Sequence, residues 1–386
     1  MIRTMAVIGT GLIGTSVALA ASRQGVLVYL SDRNRSTART AAALGAGLAR
    51  TPPEQVDLAV LAVPPSQVGT VLAEAQEREL ALVYTDVASV KAGPERIALS
   101  RAPDPSRYIG GHPLAGRERS GPLAARADLF RDRPWALTPS PVTSDAAFNR
   151  ALELVALCGA VPVVTRSRAH DDAVALTSHV PHLLASLMAA RLRDAPAGMS
   201  RLAGHGLRDV TRIAGGDSRL WADILQSNAA AVAGVVRRVH ADMSRLVDAL
   251  DRLAGPDGGD RDEGMRIVLE LLDRGVAGLA EVPGRRPGDP GGGSAVRVTV
   301  PDRPGELPRL LGAIADFGVD SEDAAVDADG TGALTVGFTV RPVAAARIVA
   351  SLRAGGWEAG RPNGAGPRFT EKVRKGDGIP PEAVSK

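Results

Sequence analysis

Met5-Ala6-Val7-Ile8-Gly9-Thr10-Gly11-Leu12-Ile13-Gly14-Thr15-Ser16 is the stretch whose reading decides the fold. The apolar run 5–8 reads as a buried strand. The glycines follow in G-x-G-x-x-G spacing, and SVALAASRQG at 16–25 continues as a helix. Glycines in that setting permit a tight turn and a close backbone approach, so a pyrophosphate can rest on free amide groups at the helix N-terminus. Gly9, Gly11, Leu12, Ile13 and Gly14 are therefore candidate dinucleotide contacts. The next strand ends at Asp32, about twenty residues on, where a carboxylate suits the ribose hydroxyls of NAD. It would repel the extra phosphate of NADP, but Arg33 and Arg35 can partly offset that, so NADP stays open beside NAD. The bland alternative is a tight turn in a fold that binds nothing, and the strand–turn–helix setting argues against it.

Outward from this turn, apolar runs at 5–8, 26–30, 58–63, 82–85 and 108–110 alternate with helical stretches. That pattern predicts a Rossmann-type α/β fold, a doubly wound parallel sheet over residues 1–140. Pro134 to Pro141 then breaks the pattern. Residues 141–281 lose most strand signals and read as an all-α domain, with helices over 145–158, 167–193, 218–253 and 263–279. Several look apolar on more than one face, which calls for burial either within the chain or against a partner chain, and a homodimer is expected. A Pro/Gly-rich linker follows at 282–294, then an α+β unit at 295–359. The tail 360–386 is too rich in Gly, Pro and charge to order itself.

The bulk numbers agree. The 386 residues suffice for two or three domains, and the hydrophobic fraction of 45% with only 3% aromatics implies cores of Ala, Val, Leu and Ile. The sequence pI is about 9.3, yet the net charge is only +3. Basic and acidic residues interleave without a basic stripe, so no nucleic-acid partner is expected. No apolar run reaches the roughly 20 residues of a membrane span, and no membrane partner is expected. Residues 1–5 run straight into a strand, leaving no room for a signal peptide. With the single cysteine, Cys158, these features predict a cytoplasmic protein.

Ligands of doubly wound sheets lie beyond the carboxyl ends of the strands. That rule singles out Val63, Pro64 and Pro65, although a strand-ending turn explains the prolines almost as well. It also singles out Asp86 to Lys91 and Gly111 to Gly116. Abstraction of hydride from an alcohol needs a base for the hydroxyl proton, and histidine is suited to that at neutral pH. His112 is the candidate, against the alternative of a turn histidine bonded to backbone. In the helical half, His179 and His182 stand three apart and fall on one helix face. That spacing can serve a metal, but the missing further ligands speak against one, and none is expected. Arg212 lies on a fairly apolar stretch, where its fork suits a carboxylate ligand, or else an ion pair with Asp209.

GTGLIGTS at 9–16, DVASVK at 86–91, GHPLAGRERSG at 111–121, LFRDRPWALTP at 129–139, SHVPH at 178–182 and RDVTRIAGGDSRLWADI at 208–224 together resemble the prephenate/arrogenate dehydrogenase family. The resemblance spans residues 5 to about 280. It implies an NAD-dependent oxidative decarboxylation of a cyclohexadienyl acid on the way to tyrosine, with prephenate or arrogenate as substrate. It implies that His112 takes the ring hydroxyl proton, that Ser89 bonds the same hydroxyl and orients His112, and that Arg212 holds a substrate carboxylate. His179 and His182 would form the polar wall of the pocket, with Asp209 and Trp221 supporting it. Glu118 would lie at the pocket mouth, while the strand-end rule alone places Asp86 in the cofactor cleft. Arg117 departs from the small hydroxyl residue of some relatives, which leaves the choice of side chain in doubt, with prephenate preferred. A dehydrogenase of similar architecture that uses a lysine on the first long helix of its second domain is disfavoured, because 165–193 contains no Lys. A sensing module that binds NAD without turnover is disfavoured by the polar residues at three separate places.

In the last unit a strand at 296–300 meets Pro301-Asp302-Arg303-Pro304-Gly305-Glu306-Leu307, then a helix to Phe317. Strand-like runs at 319–326 and 333–340 and a helix at 344–354 follow. This βαββα order resembles an ACT regulatory domain. The resemblance implies an aromatic amino acid effector at Asp302, Arg303, Pro304, Gly305, Glu306 and Leu307, near Gly318. The rival reading is a module that only assists dimerisation.

Overall fold

Apolar runs and Ala-rich helices alternate because strands buried on both faces need a helix on each side. The computed structural model describes residues 1–116, 120–196, 198–256, 258–282, 294–301, 303–317, 319, 324–328, 333–340 and 342–360. It separates into two units, Met1–Asp248 and Ala249–Lys386.

In the first unit β1 (Thr4–Ile8), α1 (Leu12–Arg23), β2 (Leu27–Ser31), α2 (Arg35–Ala43), β3 (Val56–Leu61), α3 (Pro65–Glu77), β4 (Ala81–Asp86), α4 (Ala92–Arg101) and β5 (Tyr108–Pro113) alternate along the chain. The sheet order is β2-β1-β3-β4-β5, continued by β6 (Pro134–Thr138) and β7 (Val161–Val164). The first five strands are parallel. β6 runs antiparallel to β5, and β7 parallel to β6. Alternate residues face opposite layers, as a period of two demands. Met5, Val7, Leu58 and Val60 pack with Val17, Ala18 and Ala21 of α1 and with Leu154 and Val155 of α5 (Asp145–Leu157). Ala59, Leu61 and Tyr84 pack with Val68, Leu72 and Ala75 of α3.

Three expectations are corrected here. The stretch 134–141 does not break the sheet: Pro134 opens β6, the end of a strand where a missing N–H is tolerated. The segment 143–164 belongs with the sheet rather than with the helical half, since α5 covers the sheet and β7 joins it. Ser167–Arg193, by length and composition apolar enough to cross a membrane, packs its Ala175 and Val180 into a core with Val232 and Val235. It is a continuous helix of α6 (Ser167–Val174), a π-turn (Ala175–His179) and α7 (Val180–Arg193). Pro181 explains the π-turn: lacking an N–H, it cannot pair the carbonyl of Thr177 in a regular α-helix. α8 (His205–Thr211), α9 (Ser218–Ser227) and α10 (Ala229–Ala254) follow. The single helix expected over 218–253 is thus interrupted at the buried Asn228.

The second unit holds the end of α10, α11 (Gly259–Leu279), and a sheet of β8 (Ser294–Pro301), β9 (Ala325–Ala328), β10 (Ala333–Val340) and β11 (Glu358–Gly360). The order is β11-β8-β10-β9, all antiparallel. α12 (Glu306–Ala315) and α13 (Pro342–Ala354) supply Leu310, Ile314, Ile348 and Leu352 to a core with Val296, Val298, Val336 and Phe338. The order is βαββαβ, one strand more than expected. The strand expected at 319–326 is confined to Ala325–Ala328 among the described residues. Most of the linker, 283–293, and the tail, 361–386, lie outside the described residues.

The exit of β5 is held from beneath. Asp86, fully buried at the end of β4, accepts from Tyr108 Oη at 2.6 Å and from the Ala88 N–H at 2.7 Å. It is also paired with the Lys91 ammonium, which donates to the carbonyl of Gly111 at 2.6 Å. Asp86 therefore faces inward and does not reach the cofactor cleft, contrary to expectation. Burial pulls the Lys91 pKa down, and the Asp86 charge opposes that pull. Removing one partner of a buried pair strands the other charge. Lys91→Met should lower the unfolding free energy by about 3–5 kcal/mol in urea denaturation. The double variant Asp86→Asn, Lys91→Met should recover part of that loss.

Candidate active site

The glycine turn has the shape a dinucleotide needs. Gly9 has φ of 98°, and a Cβ there would lie 2.1 Å from the carbonyl oxygen of Ala62. A Cβ on Gly14 would lie 1.9 Å from the carbonyl oxygen of Gly9. Gly11 has nothing within 4 Å of its Cβ position, and no side chain caps α1. Open space at a bare helix N-terminus is what a phosphate requires. Leu12 and Ile13 open the helix. Asp32 stands just past β2, where Oδ2 accepts from Thr10 N–H at 2.7 Å and Oδ1 from Asn34 N–H at 2.8 Å. Arg33 is exposed beside it, while Val63, Pro64 and Pro65 lead from β3 into α3. These residues fit NAD.

His112 lies near the end of β5. It is half-buried. Nδ1 is 2.9 Å from Nε2 of His170, and the two rings meet edge-on at 73°. His170 Nδ1 is in turn 2.9 Å from Oδ1 of Asp171. The Asp171 carboxylate accepts the backbone N–H of Lys91 at 2.8 Å and of Ala92 at 2.9 Å, and so caps α4. Asn228, at the break between α9 and α10, donates to the Asp171 carbonyl at 2.8 Å and lies 3.3 Å from His179 Nδ1. Burial holds the His112 pKa well below the usual histidine range, and His170, Lys91 and His179 add to the effect. Burial likewise lowers His179, to about 4.

A cavity of about 380 Å³ opens beside this chain of groups, lined by Gly116, Ser178, His182, Arg212 and Trp221 among others. That is within the range of small-molecule sites. His182 stacks on Trp221 at 3.6 Å between centroids, and His179 meets the same indole edge-on at 6.1 Å. Burial lowers the His182 pKa, opposed by a hydrogen bond with the Ile213 backbone. Arg212 brings a guanidinium to the cavity lining. It is exposed rather than set in an apolar interior, because it opens a short 3-10 turn (Arg212–Gly215).

The structure thus brings Arg212, His182 and Trp221 to one cavity and His179 against Trp221. His112 does not line that cavity; its loop reaches it at Gly116. Ser89 is half-buried in the loop between β4 and α4, and Asp209 is exposed on α8. Arg117 and Glu118 lie outside the described residues. His179, at the end of the π-turn, and His182, in the first turn of α7, both meet the Trp221 indole and so share the side of the helix that faces it. Among the described residues no group of three or more His, Cys, Asp or Glu is placed to hold a metal. His170, Asp171 and Asn228 were missed by motif reading. The available signal was His170-Asp171 itself, two adjacent polar side chains near the start of a long, largely apolar helix, where unpaired polar groups are costly.

A glycine turn on a doubly wound sheet, with a histidine at a neighbouring strand exit and a helical half that supplies an arginine-bearing cavity, defines a nicotinamide-dependent dehydrogenase. The nucleotide-binding domain of prephenate dehydrogenase matches residues 17–164, and the prephenate dehydrogenase dimerization domain matches 166–263. A probable prephenate dehydrogenase, NovF, of Streptomyces niveus is 47% identical over 320 residues, covering 82% of this chain and 88% of the relative. A cyclohexadienyl dehydrogenase of Zymomonas mobilis is 32% identical over 266 residues, 66% of this chain and 89% of its own length. The solved prephenate dehydrogenase of Aquifex aeolicus, in complex with hydroxyphenyl propionate and NAD+, shares the fold. Its TM-score is 0.62 at 23% identity, over 72% of this chain and 98% of that one. The chain belongs to the prephenate dehydrogenase family.

Gly216 keeps the cavity wall closed. A Cβ there would lie 2.6 Å from Trp221 Nε1 and 3.2 Å from His182 Cε1. Gly216→Ala should part the stacked rings and raise KM for the substrate about tenfold, roughly 1.4 kcal/mol. Steady-state kinetics should show kcat within about twofold of wild type, because His112 and its bonds to His170 are not touched.

Proposed function

We propose that the chain oxidises and decarboxylates prephenate, with His112 as the base and NAD as hydride acceptor. The observation that carries this reading is the His112 imidazole at the β5 exit, tethered through one nitrogen and beside a cavity bearing Arg212. With Nδ1 engaged, Nε2 is the nitrogen left for a substrate hydroxyl. Depressed basicity keeps that nitrogen unprotonated at neutral pH. Ser89, in the loop leaving the neighbouring strand, bonds the same hydroxyl, and Arg212 grips a carboxylate. NAD, held by the glycine turn at Gly9–Gly14 and by Asp32, would supply the hydride acceptor for the carbinol carbon. The resulting dienone is vinylogous to a β-keto acid, so the ring carboxylate leaves as carbon dioxide and the ring aromatises. The protein's task is to position, desolvate and deprotonate. Preference for prephenate over arrogenate is supported by the names of several relatives, including those of Bacillus subtilis and Lactococcus lactis. Asp32 supports NAD over NADP.

The test is absorbance of reduced nicotinamide with NAD and either prephenate or arrogenate. His112→Asn should cut turnover about a hundredfold or more with KM little changed. A variant that retains near-wild-type turnover removes His112 from the reaction. Protonating the base abolishes activity as pH falls through its pKa. Because that pKa is depressed, the acid limb of kcat/KM should lie below about 6.5.

The assembly we infer is a homodimer in the cytoplasm. Its support is the dimerization-domain match and the exposed Leu187 and Met188 on α7, Met243 and Val247 on α10, and Leu272 and Val276 on α11. Apolar faces of this extent call for a partner.

The second unit we read as ACT-like, taking an aromatic amino acid at the β8–α12 turn. Its βαββαβ order and Gly305, at φ of 92° just before α12, support this. Arg303, Pro304, Glu306 and Leu307 flank that glycine, while Asp302 and Gly318 lie outside the described residues. Calorimetry should register heat with tyrosine, phenylalanine or tryptophan. Silence with all three would leave the unit a purely structural module.

A further inference from the structure

Asp171 determines how protons are arranged in the chain of groups behind His112. Its carboxylate takes two backbone N–H groups at the start of α4. Both oxygens are thereby engaged as acceptors, Oδ1 from the Lys91 N–H and Oδ2 from the Ala92 N–H. A carboxylate only accepts, so His170 Nδ1 carries a proton and donates it to Asp171. A neutral His170 then has a lone pair on Nε2. That nitrogen must accept from His112 Nδ1–H, 2.9 Å away. The consequence is a His112 tautomer whose Nε2 is bare, the form a base requires.

The same heavy-atom positions fit a second protonation state. We propose that His170, backed by Asp171, takes up the Nδ1 proton of His112 when His112 Nε2 lifts the proton from the substrate hydroxyl. The inference rests on the reading of His112 as the base. The bonds balance. The substrate O–H breaks and its electron pair becomes the carbonyl as hydride leaves to NAD. His112 Nε2–H forms, His112 Nδ1–H breaks and His170 Nε2–H forms. His112 ends neutral, and the positive charge rests on His170 against the Asp171 carboxylate.

Electrostatics favours that destination. A charge held on His112 would be buried and would face the Lys91 ammonium and His179 with no carboxylate bonded to its ring. On His170, itself 3% exposed, the charge lies 2.9 Å from Asp171. The other ionisable groups around the pair are accounted for. Lys91 at the head of α4 is paired with Asp86 of β4, which Tyr108 of β5 also bonds. Glu95 of α4 is bonded to Ser167, its pKa raised by burial and by Asp171. His179 of the π-turn is bonded to Asn228. His170 is a positioning residue that works through His112.

The test uses the full-length enzyme with NAD and prephenate deuterated at the carbinol carbon, so that the chemical step limits kcat/KM. The wild type should give a curved proton inventory in mixed H₂O and D₂O, because two protons move together. His170→Gln keeps an acceptor oxygen for His112 Nδ1–H but cannot take up the proton. It should retain KM within about threefold, lose about tenfold or more in kcat, show a linear inventory and shift the acid limb of the pH profile, effects on the scale of one general acid–base group. A purely structural role would lower kcat without changing the inventory. A linear wild-type inventory overturns the proposal even if the variant does not fold. So does a His170→Gln enzyme with wild-type kinetics and an unchanged inventory. His112→Asn separates the two readings: if it stays active, the base assignment itself fails, whereas if it is inactive and His170→Gln behaves as wild type, only the second imidazole is removed.

Discussion

The carboxylate of Asp171 is the constraint on which the site depends. It caps α4, bonds His170 and, through the neighbouring carbonyl, receives Asn228 from the break between α9 and α10. One residue, through its carboxylate and its backbone carbonyl, therefore ties the β4–β5 edge of the sheet to the helices that carry the cavity wall. A capping bond contributes about 1 kcal/mol in an ordinary surface setting. Here it is buried, and its loss would leave two helix N–H groups and an imidazole without their acceptor.

A second buried group, Lys91, works beside it. Lys91 begins α4 with its backbone N–H on Asp171 and sends its ammonium to Asp86 and the Gly111 carbonyl. The residue just before His112 is thereby fixed from below while the imidazole is fixed from behind. Buried ion pairs rarely add net stability over apolar substitutes. This one is better understood as a means of holding the β5 exit in place, and its positive field discourages charge on His112.

Much of this was legible in the chain and some was not. The glycine turn, five parallel strands and His112 at a strand exit follow from local pattern, because strand period and turn chemistry are short-range properties. Pro134 misled, since a proline that opens an edge-proximal strand and one that ends a domain look alike without knowledge of β5, its antiparallel partner. Asp86 misled for a related reason: residues at a strand end alternate between cleft and core, and the partner that draws it inward, Tyr108, lies 22 positions away. Arg212 was expected in an apolar setting, yet its turn carries it to the surface. His170 and Asp171 escaped because their role exists only through contacts with His112, 58 residues distant, and with the head of α4.

The π-turn between α6 and α7 sets an angular relation within one helix. Each residue of an α-helix advances about 100° around the axis. Ala175–His179 therefore acts as a phase adjuster: it lets His170 and Asp171 face the sheet while His182, one register later, faces Trp221. A single-residue deletion there would restore a regular spiral and turn one half of the helix away from its partners. The apparatus behind the imidazole and the wall that stacks on the indole are thus cut from the same rod but aimed separately, and the length of that segment is as much a part of the chemistry as any of its side chains.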